Sequence, residues 1–441
     1  MGDHLEFALK YDGTNLEILA CIFRKASPKE IVSYIQVRPL GKYARRIWYL
    51  YEMLTGTMLP LPDLNKGNYI DLLDPDEYYT VLPRQAPRQR VQDNLLGGKS
   101  FCPVVRRTDA LKAFENSGLE ERARKVMSSY PKGLLKRALS YLYTKETKSS
   151  FEIENITPNA ARTGRFVALL ENAEQKDFFN KNALIGLQNR IVDERFRNSG
   201  YRGNQNYVGQ TVAWQQEQIH YITPKPEDLL EMMEGMTAAH VRMLESKIHP
   251  VVHAAVISFG FVFMHPFEDG NGRIHRFLIH NILATRGFTP KGIMFPASAA
   301  MLRNADDYDA ALENFSKPLT ALVKYTLNED GTMIVHNDTA LHYRYIDMTA
   351  QAESLFKFIE QTIEVELLEE LEFLRNYDST KKAIQEIVDL PDRQIDFFIR
   401  FCLQNNGRLS NTKRASHFSK LNDSEVARME DAVVKAFKTA R

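Results

Sequence analysis

Residues Ala254 to Met264 form the most apolar stretch of this 441-residue chain, interrupted only by Ser258 and Gly260. The stretch falls well short of the ~20 residues that a membrane span requires. It reads instead as a helix buried in a protein core, which calls for a domain built mostly of helices around it. Periodicity on either side agrees, because apolar residues recur at helical intervals from about 160 to 325 with one interruption, Tyr201 to Pro226. There Tyr207, Val208, Thr211, Val212, Trp214, Ile219, Tyr221 and Ile222 lie between Gly and Pro punctuation, a pattern that predicts a β-hairpin.

The flanks are helical too. Leu16, Leu19, Ile22 and Phe23, then Ile47, Leu50, Tyr51 and Leu54, mark helices between about 5 and 55. Pro and Gly residues between Leu59 and Pro103, among them Pro60, Pro62, Pro75, Pro83, Pro87, Gly97 and Gly98, predict an irregular connector or a few short strands. Helical spacing returns from Thr108 to about Tyr143, broken at Pro131, and a Glu-rich helix from Ala350 to Arg375 leads into short C-terminal helices. The expected fold is therefore mainly α, with a helical N-terminal region over 1–110, a central core over 111–345 and a helical C-terminal region over 346–441 that has room for a winged-helix module.

Charge and cysteine content limit the partners. With 57 Lys+Arg against 56 Asp+Glu the chain has no overall attraction to polyanions. A nucleic-acid partner would need a local patch, and only the C-terminal region, with Lys413-Arg414, is left open for one. The N-terminal arginines (Arg45, Arg46, Arg84, Arg88, Arg90, Arg106, Arg107) read as dispersed charges or intramolecular pairs. Cys21, Cys102 and Cys402 are too scattered for a metal knuckle or a disulfide framework. With no basic-then-apolar leader and no membrane span, a reducing, cytoplasmic location is expected.

Directly after the apolar helix, His265 to Arg276 read HPFEDGNGRIHR. Gly270 and Gly272 leave the backbone bare, so amides at the start of the next helix can approach phosphate oxygens where the helix dipole favours anions. Asp269 offers a hard oxygen to Mg²⁺, Asn271 a hydrogen bond to phosphate, and Arg273 and Arg276, one turn apart, two cations for it. His265 titrates near neutrality and can take a proton from an attacking hydroxyl. Elsewhere DNLLGGKS, residues 93–100, lacks the first glycine of a P-loop, and His249 and His253 lack the glutamate of a zincin. His275 and His280 are expected to decorate the helix after the loop.

The twelve-residue string resembles the signature of the Fic family, His-x-Phe-x-(Asp/Glu)-Gly-Asn-Gly-Arg-x-x-Arg, and a chance match is on the order of 10⁻⁹ over such a chain. The resemblance implies a protein adenylyltransferase that moves AMP from ATP onto a Ser, Thr or Tyr hydroxyl, its own hydroxyls included, with Mg²⁺ as cofactor and pyrophosphate as product. His265 would be the base, Phe267 the loop's anchor and Asp269 the metal ligand. Asn271 and Arg273 would grip phosphates, and Arg276 would hold the terminal one. Relatives that phosphorylate carry Ala and Lys where this chain has Gly270 and Gly272, so both glycines favour AMP as cargo, although a few relatives transfer phosphocholine with the same loop.

Upstream, KSSFEIENITP over 148–158 resembles the family's inhibitory motif, (Ser/Thr)-x-x-x-Glu-(Gly/Asn). It places Ser150 and Glu154 on one face of a helix expected over about 147–157, with Glu154 pairing to Arg276 and closing the γ-phosphate site. Without the loop, the same pair would read as a solvated face. The hairpin over 201–226, with Tyr207, Val208 and Gly209, resembles the family's target-binding flap; a hairpin that only covers the core is the other reading. Tyr308 matches a loosely recurring position near the nucleotide or is a core aromatic. Two alternatives to the plain transferase remain open: an enzyme in which Glu154 also supports AMP removal, and a DNA- or partner-associated regulator with a nucleotide-sensing site.

Overall fold

The structure is a computed structural model that describes residues 1–213, 216–291 and 293–438; Trp214 of the expected hairpin lies outside them. The chain is mainly helical. Four helices open it, α1 (Gly2–Tyr11), α2 (Leu16–Lys25), α3 (Pro28–Val37) and α4 (Lys42–Thr55), followed by short strands β1 (Ile70–Asp71), β2 (Arg84–Ala86) and β3 (Val91–Asp93). The strands form one sheet in the order β1-β3-β2, with β1 and β3 parallel. The N-terminal arginines hold these loops from inside: Arg45 donates to the carbonyls of Asn68 (2.6 Å) and Arg90 (3.2 Å), and Arg46 to that of Asp71 (2.9 Å).

Next come α5 (Asp109–Asn116), α6 (Leu119–Ser128), α7 (Lys132–Glu152), α8 (Ala160–Leu170) and α9 (Lys181–Ile191), and then the antiparallel hairpin of β4 (Tyr207–Ala213) and β5 (Gln216–Ile222). The central helices follow: α10 (Pro226–Leu244), α11 (Pro250–Met264), α12 (Asn271–Thr285), α13 (Ala297–Arg303) and α14 (Ala305–Thr320). A small hairpin, β6 (Tyr325–Leu327) and β7 (Met333–Val335), precedes α15 (Ala340–Arg344) and α16 (Thr349–Gln361). A π-helical turn, Thr362–Glu366, joins α16 to α17 (Leu367–Ile387), and α18 (Asp392–Leu403), α19 (Asn411–His417) and α20 (Asp423–Lys438) close the chain. Side-chain caps fix several starts: Thr108, Asn159 and Asn180 each accept from the amide three residues on, offsetting an otherwise unpaired N–H.

α11 is buried along its whole length, as its composition demands, and is enclosed by α10, α12 and α16. The central core does not end near 345: α16 and the first half of α17 belong to it through Leu355, Phe356, Ile359 and Leu371. A separate apolar cluster, built from Ile384, Ile395, Phe398, Ile399, Met429 and Val433, occupies the last segment alone. Apolar periodicity shows that a helix buries a face; it does not show which core receives it. No helix among the described residues is long and apolar enough to cross a membrane.

Candidate active site

α11 ends where its chain turns left-handed. His265 has φ 48° and ψ 57°, a region that costs an L-residue roughly 1–2 kcal/mol. Arg202 holds this turn in place, and the sequence reading assigned it no such task. Its Nε donates to the His265 carbonyl (2.8 Å), its amide to that of Pro266 (2.8 Å), and its remaining nitrogens to those of Asn204 (2.7 Å) and Pro224 (2.6 Å). One buried guanidinium thus fastens the loop to both feet of the hairpin, and burial lowers its pKa to about 10, so it remains charged at neutral pH. Arg202→Ala leaves three carbonyls without their donor and is expected to lower unfolding free energy by about 3–5 kcal/mol in urea titrations, at roughly 1–3 kcal/mol per orphaned group. A midpoint equal to wild type would refute the fastening.

The imidazole of His265 donates from Nδ1 to the Val262 carbonyl (3.2 Å), since a carbonyl can only accept. That leaves Nε2 with a free lone pair. Burial, then the neighbouring Arg202 charge, lowers its pKa to about 4, so the ring is neutral at physiological pH. Phe267 is fully buried against Tyr201 and Phe261, as expected of the anchor.

Only residues 265–270 form the loop; Asn271 already begins α12, so Arg273 and Arg276 project from a helix. Gly270 has φ 90°, and a Cβ there would lie 3.0 Å from the Val192 methyl, so both the backbone and the space require glycine. No side chain caps α12, which leaves the first-turn amides of Asn271, Gly272 and Arg273 without a side-chain partner. The side chain of Asn271, expected to grip phosphate, is engaged with the loop's own backbone. It accepts from the Phe267 amide (3.0 Å) and donates to the Phe267 carbonyl (2.7 Å), bracing the loop from within. Gln188 of α9 supports the same turn, donating to the Asp269 carbonyl (3.4 Å).

Both arginines are occupied. Glu154 lies 2.6 Å from an Arg276 nitrogen through Oε1 and 2.9 Å from Arg273 Nε through Oε2, the latter an ion pair without hydrogen-bond alignment. The expected partner was Arg276 alone. Ser150 Oγ accepts from Arg276 Nε (2.8 Å), and its carbonyl from the same guanidinium (2.6 Å). Burial lowers the Arg276 pKa, but Glu154 and Tyr308 outweigh it and the net shift is upward. Tyr308 is buried and stacks on His275, a core position behind Arg276. Gly272 gives Glu154 its room: a Cβ there would stand 2.5 Å from Glu154 Oε1.

Glu154 is not on the helix, contrary to expectation. α7 runs from 132 to 152, and Glu154 sits in the turn that closes it. There the Ile156 amide bonds the Phe151 carbonyl (3.0 Å), the Asn155 amide bonds that of Glu152 (2.8 Å), and Asn155 has φ 55°. This is a Schellman closure, whose left-handed residue must be Gly or Asn-like, and it explains the last position of the motif.

Asp269 accepts from its neighbour's amide (2.6 Å) and from Arg273 (2.6 Å), and its side chain is 47% exposed. No group of three or more His, Cys, Asp or Glu among the described residues could hold a metal alone. One half-exposed carboxylate still fits Mg²⁺, which typically takes one or two carboxylates and completes its shell with substrate phosphates and water.

In the hairpin, Val208 is exposed, and a Cβ on Gly209 would meet the Gln218 carbonyl at 2.7 Å, at the point where the register shifts. β4 and β5 make a two-stranded sheet, so β4 has an outer edge without a strand partner among the described residues. Tyr221 donates to the Phe263 carbonyl and Tyr343 to that of Ile222 (2.5 Å), docking the hairpin beside His265.

Residues 178–283, which contain this loop, match the Fic/DOC family. The chain carries a Fic domain. It is similar to proteins named protein adenylyltransferase Fic: 25% identical over 252 residues to that of Drosophila melanogaster (49% of this chain, 46% of the relative), 26% over 224 residues to that of Nematostella vectensis (46% and 52%), and 28% over 247 residues to that of Culex quinquefasciatus (50% and 47%). The chain spans about half the length of these curated relatives. Among solved structures, a Fic family protein from Desulfovibrio desulfuricans aligns with 75% of this chain and 84% of its own at 17% identity and a TM-score of 0.41. A Fic-domain signaling protein from Bacteroides thetaiotaomicron aligns with 59% and 96% at 15% and 0.42.

Proposed function

We propose that this Fic domain transfers AMP from ATP to a hydroxyl of a protein, and that Glu154 restrains it. The observation that carries the reading is a neutral His265, its Nε2 free, beside uncapped helix amides and two arginines. In the proposed step the target oxygen bonds to the α-phosphorus while its proton passes to His265 Nε2. The bond from the α-phosphorus to the bridging oxygen breaks, and pyrophosphate leaves. The amides of residues 271–273 hold phosphate oxygens and Arg276 the terminal phosphate. Asp269 would hold Mg²⁺, which when bound neutralises phosphate charge. The open edge of β4 would align the target segment by main-chain hydrogen bonds near His265.

The relatives' names support AMP as cargo, and Gly270 and Gly272 agree with it. Intact mass of Glu154→Gly protein after incubation with ATP and Mg²⁺ tests this: an increment of one AMP is expected, and an increment of one phosphate, or none, overturns it.

A further inference from the structure

The restraint at Glu154 has a second fastening, deeper in the core. Glu146, on α7, is fully buried. Its carboxylate accepts from the Ser298 amide (2.8 Å) and the Ser298 hydroxyl of α13, and it meets His280 Nε2 of α12 at 2.7 Å. His280 therefore does not decorate a surface, as its sequence position suggested; it is buried and paired.

Three contacts from α7 and its closing turn to α12 form one seam. Glu146 meets His280, Ser150 meets Arg276, and Glu154 reaches the space over Gly272. Each step of four residues toward the end of α7 is matched by a step of four toward the start of α12, the pairing that antiparallel helices give along facing stripes. A seam of this kind can slide or rotate only if every pair gives way together. The Glu154 end is partly open, with its side chain 25% exposed, whereas at the other end Glu146 is fully buried and His280 nearly so. Neighbouring Lys145 pairs with the buried Glu366 (2.7 Å), which ties α7 to the π-helical turn and not to α12. A buried carboxylate with three partners is intolerant of displacement, because any shift leaves charge and donors unpaired away from water.

We infer that Glu146, with His280 and Ser298, is the positioning site that sets the register of α7 and so holds Glu154 on Arg273 and Arg276. This rests on the proposed restraint at Glu154 and adds where its geometry is set. Glu146 touches no reacting atom and acts through the helix.

Self-labelling with radioactive ATP in the full chain tests it. Glu146→Ala is expected to raise the rate at least about tenfold over wild type, since ångström-scale misplacement commonly changes rates by about 10²-fold. The double variant Glu146→Met/His280→Leu replaces the pair with apolar residues of similar bulk, which buried pairs often tolerate, and should give the same rise in a folded protein. Added to Glu154→Gly, either change should leave the rate within about twofold, because a restraint already absent cannot be displaced again. Loss of thermal stability without a rise in rate in both variants, or a further rise in the Glu154→Gly background, overturns the inference. If Glu154→Gly raises the rate and the Glu146 variants do not, only the positioning role fails; if Glu154→Gly itself does nothing, the restraint fails with it.

Discussion

Glycine in place of Glu154 is expected to raise self-labelling by about 10²-fold. The carboxylate ties up two guanidiniums at once, at 2.6 and 2.9 Å, and its Oε1 fills the space that the bare Gly272 leaves open. A charge-assisted contact contributes about 1.5–3 kcal/mol, and each 1.4 kcal/mol is tenfold in rate, so one fully released arginine accounts for the magnitude. The same change strands Arg276, 2% exposed, without its counter-charge. The variant should therefore melt below wild type without ligand and gain more from added ATP, because the phosphates replace the missing anion. An unaltered rate with an unaltered response to ATP would remove Glu154 from any part in control.

Removing the His265 imidazole is expected to cost about 10²–10⁴ in rate, the usual contribution of a general base, when His265→Ala is placed in the Glu154→Gly background. The fold should survive, since the ring makes one hydrogen bond, to Val262, and the loop is held mainly through backbone carbonyls on Arg202. The pH profile follows from the same surroundings. Burial and the Arg202 charge bring the pKa to about 4, so the ring accepts protons at every pH above that and is blocked below it. Labelling by Glu154→Gly should be flat between about pH 6 and pH 8 and decline as acid approaches pH 4. A midpoint near the unperturbed 6.5 would show that desolvation and the Arg202 charge do not act on His265 in this way.

Much of this site was legible in the sequence because it is local. Twelve consecutive residues carry the turn, the helix start and both arginines, and the glycines there mean what they mean in any chain. The contact from Glu154 to Arg276, 122 positions apart, was readable only through its motif. Arg202, Gln188, Glu146 and His280 were not readable, since a lone polar residue in a helical or irregular stretch reveals its partner only once the chain has packed. Asn271 shows the converse. Its amide suits a phosphate as well as it suits a backbone, and the tight turn at Phe267 claimed it. Four-residue spacing from Ser150 implies a helix at Glu154, although Asn155 next to it is a residue that commonly stops one.

The reversal of hand at Asn155 bears on how the restraint could lift. Beyond Ile153 the carboxylate is borne by the helix's terminal turn, whose closure rests on two main-chain bonds and a conformation that few residues adopt. Fraying of one terminal turn is the cheapest opening a helix offers. Under the proposed restraint, an arriving triphosphate need not dislodge the trunk of α7; it has only to outcompete the contacts of this last turn.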